Sequence, residues 1–255
     1  MKKKLIIFTT LLFLILVSNS YSQFYKVYGY ATRAEDEAEI SLWTSYISQS
    51  DHYHSFFDKK VKREGLWAHS VELEYGVTDR FTVAIYIDFE NPSGESLKHI
   101  RTNAVFFRYR IAEKGSFLFD PAIYLEYYIP RKDYRDYEEF EARLILERDM
   151  GDFRLILNPI FEKKTSGSLV SQGFEFNYAA GFYYRKFHSV QPGIEFHGKM
   201  GEMSENIPLE EQRHFLFSTL DFKFGPGFHW HIGTGIGLTD KSDKLTIKSI
   251  LSFKF

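Results

Sequence analysis

The chain has 255 residues, no cysteine and a formal net charge of −2 at pH 7. Because this balance offers no basic surplus to neutralise phosphates, we do not expect nucleic acid as a partner. The absence of cysteine excludes disulfides and a lipid anchor attached through a cysteine. Aromatic residues make up 18% and charged residues 26% of the chain, and the mean hydropathy is −0.30. A helical membrane protein would be far more apolar on average, whereas a barrel with a polar lumen fits these values.

The N-terminus has the three parts of a secretory signal peptide. Three lysines precede the apolar run Leu5–Val17, and the small residues Ser20 and Ser22 fit a cleavage site. The run covers 13 residues, fewer than the roughly 20 that a transmembrane helix needs. We therefore predict a cleaved signal peptide over 1–22 and a single mature domain over 23–255, with an uncleaved membrane anchor as the alternative. Cleavage would change the formal charge from −2 to −5.

After residue 34 the chain divides into segments in which polar and apolar residues alternate, with turn residues between them. Segments of roughly ten to fourteen residues suit tilted membrane strands. The predicted strands are 36–48, 66–77, 80–90, 98–111, 117–129, 137–148, 152–163, 172–185, 188–200, 212–224, 227–238 and 244–255. We therefore predict an all-β fold, a transmembrane antiparallel up-and-down β-barrel of twelve strands.

The predicted connections alternate between short and long. Short periplasmic turns and longer outer loops are typical of outer-membrane barrels. An even number of strands then predicts that both termini are periplasmic. Pro121, Pro159 and Pro192 fall inside predicted strands, and because proline donates no ladder hydrogen bond, we expect local bulges there.

In several predicted strands one face is uncharged, as contact with outer-membrane lipid requires. The clearest rows are Val71, Leu73 and Tyr75; Phe81, Val83, Ile85, Ile87 and Phe89; Val105, Phe107, Tyr109 and Ile111; Phe119, Ile123, Leu125 and Tyr127; and Phe228, Trp230, Ile232 and Ile236. The core of a soluble sandwich would also be uncharged, so the opposite face decides between the two folds. That face is crowded with large polar side chains, which favours the barrel.

The polar faces predict which residues line the lumen. The candidates are Glu72, Glu74, Asp88, Arg108, Arg110, Glu126, Glu141, Arg143, Arg154, Glu175, Arg185, Glu195, Asp221 and Lys223. Two interpretations stay open, an ion-pair network that fills a narrow barrel and a selective pore lined by the same charges. His229 and His231 share this face at a spacing of two residues, which is a weak indication of a metal site without a third ligand.

The last predicted strand alternates apolar and polar residues and ends with Phe253 and Phe255. This ending resembles the C-terminal signature of outer-membrane barrels, which implies recognition by the outer-membrane assembly machinery. The stretch from Val71 to Phe81 reads VELEYGVTDRF and resembles a hairpin that recurs in small Gram-negative outer-membrane barrels. The layout is similar to transporters of this kind with no assigned substrate, particularly those of Bacteroidota. The resemblance implies an architecture and carries over no functional residue.

No enzymatic motif and no cofactor site stands out in the sequence. The nearest His-Ser candidates for a hydrolase, such as His69-Ser70, are adjacent in sequence, and adjacent strand residues point to opposite faces. We therefore expect a narrow channel or accessory transport protein for small polar solutes or ions, and not an enzyme. The alternatives are a non-conducting barrel whose outer loops bind a partner, with 49–65 as the candidate loop, and a lipid-modifying hydrolase.

Overall fold

The computed structural model describes residues 24–255, apart from the side chains of residues 104–106. The predicted signal peptide over 1–22 lies outside the described residues. Twelve antiparallel strands form one closed barrel, in which β1 pairs with both β4 and β14. The wall strands are β1 (Ala38–Gln49), β4 (Leu66–Thr78), β5 (Phe81–Asn91), β6 (Lys98–Arg110), β7 (Asp120–Pro130), β8 (Glu139–Met150), β9 (Phe153–Lys164), β10 (Glu175–Tyr184), β11 (Val190–Glu202), β12 (Arg213–Phe224), β13 (Phe228–Gly237) and β14 (Leu245–Lys254).

Each predicted strand corresponds to one wall strand, and the predicted ends differ from the observed ends by at most three residues. The all-β barrel of twelve strands is therefore confirmed. The first long connection also contains a two-stranded hairpin, β2 (Tyr53–Phe56) and β3 (Lys59–Lys62), which the sequence did not predict. Within residues 24–255, no helix is long and apolar enough to cross a bilayer.

Alternation along the strands separates two environments. Leu73 is 45% exposed on the outside, whereas its neighbours Glu72 and Glu74 are 0% and 1% exposed. The outer surface therefore presents apolar side chains, while carboxylates and bases are enclosed by the wall. A soluble protein has the opposite distribution, with apolar side chains inside and charged ones outside. A barrel surrounded by lipid requires the distribution observed here.

The prediction of bulges at the three strand prolines is wrong. Pro121 and Pro192 lie within the first three residues of β7 and β11, and each pairs in register with one neighbouring strand. Pro159 lies opposite a gap in the β8–β9 ladder, but the register on both sides of the gap is the same. The shifts of register fall elsewhere, including two in the β5–β6 pair. Proline is tolerated where the ladder needs no donor, so no extra residue is inserted.

The two ends of the barrel differ in their connections. We call the short-turn end the one with the β4–β5, β8–β9 and β12–β13 turns, and the long-loop end the opposite one. The first and last wall strands meet at the short-turn end, where the backbones of Ala38 and Phe255 exchange hydrogen bonds of 3.1 and 3.0 Å. The chain that precedes β1 does not leave the barrel at this end. It runs back into the lumen.

Candidate functional site

The candidate site is the lumen, which contains nearly all the predicted lumen-lining residues. Glu72, Glu74, Asp88, Arg108, Arg110, Glu126, Glu141, Arg143, Arg154, Glu175, Glu195, Asp221 and Lys223 lie on the inward faces of wall strands. Arg185 lies one residue beyond β10, at the rim of the short-turn end, where it pairs with Asp149 at 3.0 Å. Whether these residues set selectivity stays a prediction.

A group of buried ion pairs occupies the wall near β4. The Glu74 carboxylate lies 2.7 Å from Arg108 and 2.9 Å from Arg33. The Glu72 carboxylate accepts a hydrogen bond of 2.9 Å from the Trp43 indole and lies 3.3 Å from Lys26. A carboxylate this deeply buried is stable only when it is paired and hydrogen-bonded. Two of the pairing cations come from the segment before β1.

Glu195 is the centre of a second group. Its carboxylate accepts a hydrogen bond of 2.8 Å from the Tyr183 hydroxyl and pairs with Lys248. The imidazoles of His197 and His231 lie 2.9 and 3.1 Å from the same carboxylate. One buried carboxylate on β11 therefore holds side chains from β10, β13 and β14 and a second one from its own strand.

The metal site predicted at His229 and His231 finds no support in the described residues. His231 directs its Nε2 toward Glu195. Residues 24–255 contain no group of three or more His, Asp or Glu side chains that could hold a metal ion.

The ten residues Phe24–Arg33, which we call the lumen segment, thread the barrel without joining its sheet. The side-chain amide of Asn158 on β9 makes two hydrogen bonds to the backbone of Tyr28. The Tyr28 N–H donates to Asn158 Oδ1 at 2.8 Å, and Asn158 Nδ2 donates to the Tyr28 carbonyl at 3.0 Å. The Tyr30 N–H donates to Glu147 at 3.0 Å. Wall side chains therefore satisfy backbone groups that a strand would satisfy with a neighbouring strand.

Aromatic contacts fix the side chains of the lumen segment. Tyr28 is 3% exposed, and its ring centroid lies 4.5 Å from that of Tyr124. Tyr25 packs against Phe215 and Phe217 with centroid distances of 5.0 and 4.9 Å. The rings of the segment therefore fill the middle of the lumen.

The lumen segment separates two open spaces. A long-end cavity of about 110 Å³ is lined by charged and aromatic side chains, among them Asp88, Arg101 and Tyr128. A short-end cavity of about 330 Å³ opens on the other side, and Arg154 and Lys223 are among its lining residues. Lys26 lines both cavities. The lumen is therefore neither completely filled nor freely open.

The β2–β3 hairpin folds against the wall at the long-loop end. His54 lies 3.1 Å from Glu90, and the Tyr134 hydroxyl donates to the same carboxylate at 2.7 Å. Phe56 is 1% exposed and clusters with Ile100 and Tyr134. The predicted outer loop 49–65 is thus an ordered structure that covers part of the barrel mouth.

A buried ion pair anchors the base of this hairpin. The Arg63 guanidinium makes a forked contact with the Asp243 carboxylate, at 2.9 Å from Nε and 2.7 Å from Nη2. Burial raises the pKa of Asp243, but Arg63 beside it holds that pKa below its usual range overall. Asp243 therefore stays ionised and binds the loop to the start of β14.

Sequence reasoning missed several charged residues of the lumen, among them Lys26, Arg33 and Arg101. Lys26 and Arg33 precede the first predicted strand and were assigned to none, although this stretch is rich in tyrosine. Arg101 pairs with Asp88 in the long-end cavity. Strict alternation counted back from Arg108 places Arg101 on the outer face, and only the bulges in β6 turn it inward.

No family model and no curated protein matches the sequence. Among solved structures, the chain is similar to the COG4313 outer membrane channel from Pseudomonas putida F1, with a TM-score of 0.62 and 13% identity over 89% of this chain and 98% of that one. It is also similar to the KdgM porin, with a TM-score of 0.56 and 10% identity over 85% and 99% of the two chains. The same likeness holds for the KdgM porin in complex with disordered oligogalacturonate. At these identities the likeness shows the fold.

Proposed function

We propose that this chain is an outer-membrane channel for small polar solutes or ions, narrowed by its own N-terminus. The observation that carries the proposal is the pair of lumen cavities that meet at the lumen segment. A barrel that served only as a scaffold would not need two polar spaces of this size. Two of the solved structures that share the fold are described as an outer membrane channel and a porin, which supports the same function.

The orientation that we propose places the short-turn end in the periplasm. Short periplasmic turns and longer outer loops are usual in such barrels, and the C-terminal residue of the chain lies at the short-turn end. Phe253 and Phe255 are 52% and 68% exposed on the outer surface. This exposure suits the recognition of the last strand by the assembly machinery. A Bacteroidota source, a cleaved signal peptide and the absence of enzymatic activity belong to the same proposal.

Two alternatives are weaker. The many buried ion pairs favour a stiff, non-conducting barrel, but the open cavities oppose it. For a hydrolase, His69 and Ser70 would have to meet. Ser70 is buried toward the lumen, whereas His69 lies on the outer face, where its ring stacks with that of Trp67.

Conductance decides between a channel and a scaffold. We expect purified, folded protein in a planar bilayer to give small current steps at constant voltage. Liposomes containing the protein should take up small solutes such as glycine faster than a trisaccharide. The absence of steps and of uptake, both for this protein and for a folded variant lacking residues 24–33, would contradict the proposal.

A further inference from the structure

Most charges around the short-end cavity are neutralised within the chain. Glu39 pairs with Arg33 at 2.5 Å, and Glu195 pairs with Lys248. Arg108 pairs with the buried Glu74. These groups hold the lumen segment and the wall together. They leave little net charge for an incoming solute.

Two bases in this cavity differ from the others. In the part of the chain that the structure describes, neither Arg154 nor Lys223 takes part in a salt bridge. The Arg154 guanidinium lies over the Tyr183 ring, 5.0 Å from its centroid, and its buried Nε has no hydrogen-bond partner. The Lys223 ammonium lies within the electrostatic reach of Asp221 and also of Arg154 and Arg185. Positive charges that repel one another gain stability when an anion binds between them.

The neighbouring residues do not cancel this charge. Lys223 lies opposite His229 across the β12–β13 ladder, and Asp221 lies opposite His231. Asp221 contributes one negative charge against the two positive charges of Arg154 and Lys223, so the group has a positive balance.

The long-end cavity provides an internal comparison, because three of its bases have carboxylate partners on the wall. Arg143 lies 2.8 Å from Glu141, and Lys199 lies 3.1 Å from Glu162. Arg101 pairs with Asp88. An anion that enters this cavity would have to displace a carboxylate. Arg154 and Lys223 of the short-end cavity have no such salt-bridge partner among the described residues.

We propose that the short-end cavity is an anion-binding site, in which Arg154 and Lys223 hold a phosphate or carboxylate group. This inference rests on the proposed channel function and adds a solute class to it. Arg154 supplies a planar fork of donors that matches the oxygens of either group, and Lys223 supplies a point charge.

Reversal potential and block by inorganic phosphate test this site. In a potassium chloride gradient, the channel is expected to prefer chloride, and phosphate is expected to reduce the chloride current from one side only. Arg154→Gln and Lys223→Gln should each raise the phosphate concentration for half block about tenfold. Lys186→Gln removes a charge from an exposed turn at the same end, and its effect should be less than about twofold because solvent screens that charge.

The outcomes separate this inference from the proposed function. If the protein conducts but phosphate blocks all three variants equally, the channel stands and the anion site is rejected. A preference for cations that is unchanged in Lys223→Gln also rejects the site. If no variant conducts, the proposed function fails first. Heat-modifiable migration of each variant on a gel shows that the barrel is folded.

Discussion

The lumen segment Phe24–Arg33 and strand β1 are extended stretches of similar length, separated by one turn, yet they are held in different ways. β1 pairs with strands on both sides along its length. The lumen segment has no strand partner and is held by side chains that reach its backbone, chiefly that of Asn158. Backbone ladders keep the strands of the wall paired even when a single side chain is removed. The lumen segment has no such protection.

The sequences of the two stretches reflect this difference. β1 alternates, with Ile40 and Leu42 more than 40% exposed while Ser41 is 2% exposed between them. The lumen segment reads FYKVYGYATR and has no such period. Alternation arises only where one face meets lipid and the other meets the lumen. A chain surrounded by lumen on all sides has one environment, and therefore no alternation.

The largest effect is expected from deleting the lumen segment. Without residues 24–33 the two cavities merge, so the single-channel conductance should rise several-fold while the barrel still folds. Planar-bilayer recording measures the conductance, and heat-modifiable migration on a gel checks folding. Unchanged conductance in a folded barrel would show that the segment does not restrict the pathway.

The anchor of the β2–β3 hairpin should respond to acid. Because the folded-state pKa of Asp243 is lowered, its contribution to stability is present above the unfolded pKa near 4 and is lost as the pH falls below it. Asp243→Asn removes the buried carboxylate that pairs with Arg63, and breaking a buried ion pair costs about 3–5 kcal/mol. Hydrogen exchange over residues 53–62, corrected for intrinsic rates, should be faster in this variant at pH 7.

The control for this experiment is Asp51→Asn. Asp51 is exposed and pairs with Lys244 at the surface, where an ion pair contributes little. Hydrogen exchange in the hairpin should therefore stay at its original rate. Equal exchange in the two variants would mean that Asp243 does not anchor the loop.

Substitutions on the outer face of the barrel test the contact of the wall with lipid. Leu73→Arg places a charge midway along β4 on the exposed face, and the free energy of unfolding from lipid vesicles should fall by about 2–4 kcal/mol. Leu97→Arg adds the same charge in the loop between β5 and β6, where water is available, and should have little effect. Equal losses in the two variants would argue against a lipid belt at Leu73.

The local sequence predicted the wall because successive residues of each strand face lipid and lumen in turn, and the residue types alternate accordingly. This is why all twelve strands and the inward positions of Glu72 and Glu74 follow from alternation alone. Arg101 shows the limit of the method. A register shift between Asn103 and Val105 reverses the alternation in the rest of β6, and nothing in the local sequence marks it.

The lumen segment could not be predicted for a different reason. Its position depends on contacts with residues more than a hundred positions away, such as Asn158 and Glu147. Side chains that bind a backbone leave no periodic pattern in either partner. The ion pairs of Lys26 and Arg33 are consequences of that docking, so they were missed with it.

The smallest effect, and the most specific one, is expected from Asn158→Ala. The variant loses both hydrogen bonds to the Tyr28 backbone, which together contribute about 2 kcal/mol. The wall ladder is unchanged because only a side chain is removed. The lumen segment should therefore leave its site about thirtyfold more often, which single-channel recordings would show as brief steps to the conductance of the deletion variant.

Asn103→Ala is the matched control for that variant, because Asn103 also lines the lumen but hydrogen-bonds to Glu126 instead of the lumen segment. Asn103→Ala should keep the low conductance of the original protein. If both asparagine variants show the brief steps equally often, the steps arise from weaker packing throughout the lumen and not from the loss of the hydrogen bonds to Tyr28. If only Asn158→Ala gives these steps, hydrogen bonds from a wall side chain to the segment backbone keep the channel narrow. The lumen segment and β1 then differ in the free energy that holds them as well as in their geometry.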